Sequence, residues 1–202
     1  MIPIAAYGYF ALTVQSLLSS LLLPQMALSA ATTAASPSPS QTPAWAESQL
    51  LSRRLPLSAG LLAWDRESKT WQPYQVAASR LALINLWSVE CGPCRAEMPT
   101  LRAMLAAFQK NFPSFGFLIV AETQDDRELF QFLRTHEDFL PKNTPILKVR
   151  GERIQHELAT STVPLTLLVD RGQVVRHAFV GSIVSRRSEL VSAVERLSQV
   201  TE

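Results

Sequence analysis

Hydrophobic and polar positions divide the chain into three unequal stretches. Residues 2–23 are almost all apolar, interrupted only by Tyr, Thr, Ser and Gln. From Thr32 to Ala46 the sequence TTAASPSPSQTPAWA has no structural period at all. From about residue 51 onward, apolar positions recur with the periods of strands and helices. Residues 57–63 and 71–76 read as two short strands around a polar turn at 65–70. The run LALINLW, Leu81–Trp87, is continuously apolar but for one Asn and predicts a buried central strand. Residues 94–111 carry Met98, Leu101, Leu105 and Phe108 as one helical stripe. Phe115–Ala121 (FGFLIVA) predicts a second buried strand, and 126–137 a helix with Leu129, Phe130 and Leu133 at helical spacing. A short strand at 145–149 and a short helix at 152–160 follow. Leu165–Asp170 and residues 173–180 predict a hairpin around Arg171-Gly172, and 185–199 a closing amphipathic helix. Strands alternating with helices imply parallel pairing, and the late hairpin adds antiparallel strands. The predicted class is α/β, a mixed central sheet with helices on both faces.

Composition sharpens the boundaries. Charged residues are 18% of the 202, against about 25% in ordinary domains. The deficit is local, because residues 1–52 hold a single charged side chain, Glu47. Residues 1–31 read as a secretory signal peptide or an N-terminal membrane anchor. The apolar run 2–23 is just long enough to span a bilayer, Pro24 breaks it, and Ala27, Ser29, Ala30 and Ala31 supply a cleavage region. No Lys or Arg precedes the run. Residues 32–50 read as a Pro/Ser-rich linker, because Pro37, Pro39 and Pro43 lack a backbone N–H and the stretch cannot bury enough to order itself. Residues 51–202 form the folded domain. This order suits a domain displayed outside the cytoplasm, in the periplasm or on the outer face of the membrane, with 2–23 as a potential tether. A net charge of +2 does not argue for nucleic acid.

The two cysteines, Cys91 and Cys94, sit three apart in Cys91-Gly92-Pro93-Cys94, between a buried strand and a helix start. A structural disulfide framework is thereby excluded. Helix N-termini carry partial positive charge and unpaired N–H groups, and both stabilise a thiolate. Pro93 fits the first turn, where its missing N–H would be unpaired anyway. Cys91 is expected to be the exposed nucleophile, and Cys94, one turn on, the buried resolving thiol. Zinc needs four ligands, and His136, His156 and His177 are scattered without ligand spacing. No metal or cofactor is expected.

The segment from Asn85 to Pro99 (NLWSVECGPCRAEMP) resembles the active-site signature of the TlpA/ResA-type thioredoxin-like proteins, exported or membrane-tethered thiol–disulfide oxidoreductases of bacteria. Thr160 to Asp170 (TSTVPLTLLVD) resembles the segment in which that superfamily places a cis-proline beside the disulfide. The resemblance covers roughly residues 55–200 and implies a thioredoxin-like fold. It also implies a cis Val163–Pro164 bond, with the backbone of Val163 free to pair with a substrate strand. Pro99, inside the helix, frees the carbonyl of Arg95, and superfamily members commonly carry this proline. A glutamate at the place of Glu97 is thought in that family to handle protons during exchange; the alternative is a solvated first-turn acid suiting the helix dipole. Two departures stand out. Asn85 occupies the place of the buried aspartate of thioredoxins proper, pointing to the exported group. Glu90 occupies the place of the usual Trp or Tyr before the first cysteine, and is expected to tune the Cys91 thiolate by repulsion. Trp87 is expected to pack at the rim.

Three functions compete. The first is a dithiol reductant of protein disulfides, re-reduced by the membrane thiol electron donor that the resemblance implies. The second is a disulfide-forming oxidant, which would stabilise its thiolate strongly. The third is a binding module that keeps the fold without turnover, against which the intact cysteines argue.

Overall fold

The computed structural model describes residues 42–77, 79–151 and 153–200. The expected leader or anchor at 1–31 and the expected linker at 32–41 lie outside the described residues. Seven strands form one sheet: β1 (Leu61–Asp65), β2 (Thr70–Pro73), β3 (Leu81–Trp87), β4 (Phe115–Ala121), β5 (Leu147–Val149), β6 (Leu165–Asp170) and β7 (Val175–Val180). Their spatial order is β2-β1-β5-β4-β3-β6-β7. The core strand β3 runs parallel to β4 and antiparallel to β6. All seven β3 residues are buried, as its uninterrupted apolar run requires of a strand covered on both faces.

The period of two along β3 divides the core into two layers. Leu81, Leu83 and Trp87 pack with Met98, Leu101, Leu105 and Phe108 of α3 (Gly92–Asn111), and with Leu129 and Phe132 of α4 (Asp126–Thr135). Leu190, Ala193 and Val194 of α6 (Arg187–Val200) complete that layer. Ala82, Ile84 and Leu86 point the other way, to Leu57 of α2 (Leu57–Gly60) and to Ile154 and Leu158 of α5 (Arg153–Leu158). Helices thus cover both faces of a mixed sheet, the expected α/β architecture. Each fully buried Leu or Phe of the α3 stripe contributes about 1.5–3 kcal/mol, so this stripe holds the active-site helix to the sheet. No helix among the described residues is long and apolar enough to cross a membrane.

Two expectations are corrected. Residues 57–63 are not one strand. The backbone N–H groups of Ala59 and Gly60 donate to the Pro56 carbonyl at 3.0 and 2.7 Å, making α2, and β1 begins only at Leu61. Gly60 is required there, because a Cβ would stand 2.8 Å from Ile154 Cγ1. The residues expected to end the linker instead form α1 (Thr42–Leu50), with Leu50 buried in the second layer. Glu47, the only charge in the first 52 residues, explains why this segment is ordered. Its carboxylate accepts the Val180 backbone N–H at 2.9 Å on edge strand β7 and forms an ion pair with Arg186. The remaining differences are of one to three residues at element ends.

Candidate active site

The sequence places a cysteine at the turn between β3 and α3, and the local chain chemistry fixes its geometry. Cys91 is the N-cap of α3: its backbone is extended, its Sγ accepts the Cys94 N–H at 3.1 Å, and Pro93 occupies the first turn. Cys91 and Cys94 are joined in a disulfide with their Cα atoms 5.3 Å apart. Cys91 is half-buried, whereas Cys94 is 0% exposed. One cysteine therefore faces outward from the helix start and its partner lies wholly inside, the asymmetry expected of a nucleophile and a resolving thiol.

One helical turn after Cys94, Glu97 joins a buried polar trio. Asn85, Glu97 and Thr166 are each 0% exposed. The alternation that turns Leu83 and Trp87 toward α3 turns Asn85 the same way, and the antiparallel register sets Asn85 opposite Thr166 of β6. Asn85 Nδ2 donates to Glu97 Oε1 and to Thr166 Oγ1, both at 3.0 Å. Glu97 Oε2 accepts the backbone N–H of Ile183 at 2.9 Å. Burial pushes the Glu97 carboxyl above the usual range, against the opposing bonds from Ile183, Asn85 and Ser182. Glu97 is thus no solvated first-turn acid. It stands on the same helix three residues after Cys94, a spacing that brings side chains into the same neighbourhood. Asn85 Oδ1 has no hydrogen-bond partner among the described residues.

The surface around Glu90, the residue before Cys91, is acidic. Glu90 is exposed, and with Glu122, Asp125 and Glu128 it lines a shallow depression of about 400 Å³. Glu90 and Glu128 share a hydrogen bond. Glu90's carboxyl is held low by its own backbone N–H, with further help from Glu128 and Ser88. Glu128's is raised, first by the hydrogen bond it makes to Glu90 and then by desolvation and the nearby negative charges. The shared hydrogen bond thus favours the charged form of Glu90 and the protonated form of Glu128. Asp125 caps α4, accepting the N–H groups of Arg127 and Glu128 at 2.8 and 3.2 Å, which delivers Glu128 to this position.

The Val163–Pro164 peptide is cis. Pro164 is buried and its carbonyl accepts the Gly181 N–H at 2.9 Å. Cys91 and Val163 both pack against the apolar layer that contains α3, and Val163 also packs against the layer on the opposite face. Val163 lies outside the ladder, which starts with Leu165 between Leu86 and Val180. Trp87 departs from expectation. It is 1% exposed and lies in the core, its ring 4.6 Å from Phe139 and 5.8 Å from Phe132, and its indole N–H has no partner among the described residues. Position 87 ends a fully buried strand, so no rim is available to it.

Sequence reasoning missed the Thr166 link, the Ser182–Ile183 contact and the Glu90–Glu128 hydrogen bond. The signal for the first was present: Asn85 and Thr166 are the polar interruptions of two apolar strands, LALINLW and LTLLV. The second depends on loop positions that no period encodes, and the third on where the capped start of α4 lies against the loop that carries Glu90.

No family model matches the chain. A thioredoxin-like protein of Bacillus subtilis, YneN, is 20% identical over 115 residues, 57% of this chain. The chain spans about 65% of the length of that curated relative. Among solved structures, the Chlorobium tepidum protein named thiol:disulfide interchange protein DsbE superposes with a TM-score of 0.54 at 17% identity, covering 73% of this chain and 99% of the other. A thiol:disulfide interchange protein from Bacteroides sp. gives 0.53 at 15% identity, over 75% and 92%. A thioredoxin-like protein from Porphyromonas gingivalis gives 0.53 at 16% identity, over 74% and 94%. At these identities the likeness is one of fold: the chain has the thioredoxin-like fold, with a cysteine pair at its active-site turn.

Proposed function

We propose that the chain is an exported thiol–disulfide oxidoreductase of the TlpA/ResA type that reduces protein disulfides. The observation that carries this reading is the pair itself: a half-buried Cys91 at the N-cap of α3, bonded to a fully buried Cys94 one turn on, with Glu97 buried a turn further along. The resemblance of the active-site signature and the names borne by proteins of similar fold support the same reading.

The reduced protein begins with the Cys91 thiolate, stabilised by the N–H groups of the first turn. It attacks one sulfur of a substrate disulfide; a mixed disulfide forms and the other substrate sulfur leaves as a thiolate. Cys94 then loses its proton, for which Glu97 is the nearby acceptor, and attacks the Cys91 sulfur. The mixed disulfide breaks, the second substrate thiol departs, and the Cys91–Cys94 disulfide remains. Two electrons pass to the substrate, and a membrane thiol donor restores the dithiol. Substrate lies against Pro164, with the Val163 backbone outside the ladder available to an extended segment. Pro93 and Glu90 set how well the Cys91 thiolate is tolerated. Residues 1–31 direct export or tether the domain, with the linker after them.

Gly92-Pro93 and a carboxylate beside Cys91 both favour reduction over oxidation, since a less stable thiolate makes a more reducing couple. The test is turnover of insulin with dithiothreitol, comparing wild type with Cys91→Ser, and the reduction potential against glutathione. Activity that vanishes in the variant, with a potential closer to about −270 mV than to about −120 mV, is expected. Undiminished activity in Cys91→Ser would remove the enzyme, and a potential near the upper value would reverse the direction.

A further inference from the structure

On the face formed by α3 and α4, two adjoining cavities make one groove. The larger, of about 1230 Å³, runs past Leu105 and Gln109 of α3; the smaller, of about 740 Å³, runs past Arg95, Met98 and Pro99. Both share Arg102, Arg134 and His136. From Arg95 to Gln109 along α3 is about 20 Å at 1.5 Å per residue. The near end begins one residue after Cys94.

Three properties define what the groove can hold. Its floor is apolar, with Leu105, Phe117, Phe130 and Leu133 on the wider part. Its walls are cationic: Arg66, Arg95, Arg102, Arg134 and Lys142 line it, and none of the five makes an ion pair with any described residue. Only two acids, Glu137 and Asp138, stand among them. Thr144 Oγ1, on the lining, is buried and has no hydrogen-bond partner among the described residues. The volume exceeds the ~300–1,000 Å³ of small-molecule pockets. The length matches about six residues of extended chain at ~3.3 Å each.

We infer that this groove binds an extended, acidic segment of a partner protein, with Asp or Glu side chains on the free arginines and apolar side chains on the floor. It rests on the proposed oxidoreductase reading in one respect: such a segment, running from the start of α3, would belong to a protein whose disulfide is presented to Cys91. Groove and cysteine then act together, the groove choosing the partner and the cysteine reacting with it. Opposite charges across an interface raise association rates and exclude like-charged partners.

The test uses the full chain and a fluorescein-labelled octapeptide without cysteine that alternates Asp or Glu with Leu or Phe. Its counterpart has Lys at every acidic position. Anisotropy is read with wild type and with Arg102→Glu/Arg134→Glu, and with Arg66→Glu as a second variant remote from the active-site helix. Circular dichroism checks that each variant is folded. The acidic peptide is expected to bind, more weakly as salt rises, and about tenfold more weakly to the double variant, as the loss of charge-assisted contacts requires. The Lys peptide is expected not to bind. Equal binding of both peptides, or equal binding by all folded variants, would overturn the inference. So would variant-sensitive binding to vesicles of phosphatidylglycerol without binding to the peptide, since the occupant would then be a lipid surface. Turnover of a small aromatic disulfide, read on the same samples, separates the two claims. Peptide binding without turnover refutes the enzyme and not the groove; turnover without peptide binding refutes the groove alone.

Discussion

Two carboxylates close to the cysteine pair in sequence, Glu90 and Glu97, have opposite surroundings. Glu97 is buried one helical turn after Cys94, held by Asn85 and the Ile183 N–H, and its carboxyl is pushed upward by burial. Glu90 is in the open, its carboxyl held low by its own backbone N–H and by hydrogen bonds from Glu128 and Ser88. The same side chain is thus biased toward its protonated form in one place and toward its charged form in the other. Residue type fixes neither role; the strand register and the capping of α4 do.

The largest effect is expected at Glu97. Glu97→Ala leaves one Asn85 amide N–H and the Ile183 N–H buried without their acceptor, a loss of about 2–4 kcal/mol in urea unfolding. Glu97→Gln separates charge from shape. A carboxyl whose folded pKa lies above its unfolded value contributes stability that is fully present below the unfolded pKa. That stability is lost as pH rises through the folded pKa. Wild-type Tm should therefore fall across this window relative to Glu97→Gln, and the rate of disulfide exchange should lose its dependence on that ionisation in the variant. A wild-type Tm that falls on acidification through the same window, relative to the variant, would mean that Glu97 is held charged.

A smaller effect belongs to the open side. Glu90→Gln removes the charge next to Cys91 and should lower the thiol pKa by less than about one unit, solvent screening most of the repulsion. The potential should rise by no more than roughly 20 mV. Titration of thiolate absorbance reads the first quantity, and an unchanged or higher pKa would leave Glu90 without an electrostatic part. The smallest effect is at Glu128. Glu128→Gln can still donate to Glu90 but cannot lose a proton. As pH rises through the raised Glu128 pKa, the wild type gains a second negative charge beside the cysteine, so its alkylation profile should bend there. The variant's profile should not, and identical profiles would detach Glu128 from the site.

How far these roles could be read from the chain follows the same division. Strands β3, β4 and β6 and helix α3 are long apolar patterns whose periods depend on burial alone, and they lie where the pattern places them. The redox pair was readable because strand, CGPC and helix are contiguous in sequence. Glu97's burial was not, because it depends on Asn85 in one strand, Thr166 in another and Ile183 in the loop before α6. Helix α1 reads as linker because it continues a Pro/Ser-rich stretch and carries no apolar stripe; its order rests on Glu47 reaching Arg186 and Val180, more than 130 positions away. Trp87 read as a rim residue because its place beside the active site was known from sequence and its depth was not.

The central claim is that Cys91 attacks and Cys94 resolves, and trapping the covalent intermediate tests it most directly. Cys91→Ser and Cys94→Ser are each mixed with a peptide disulfide, and the appearance of the mixed disulfide is followed by mass spectrometry. Cys94→Ser, which keeps the outward thiol, should form a stable one-to-one adduct rapidly, whereas Cys91→Ser, whose remaining thiol is 0% exposed in the wild-type structure, should react far more slowly. Equal rates, or faster adduct formation by Cys91→Ser, would contradict the account.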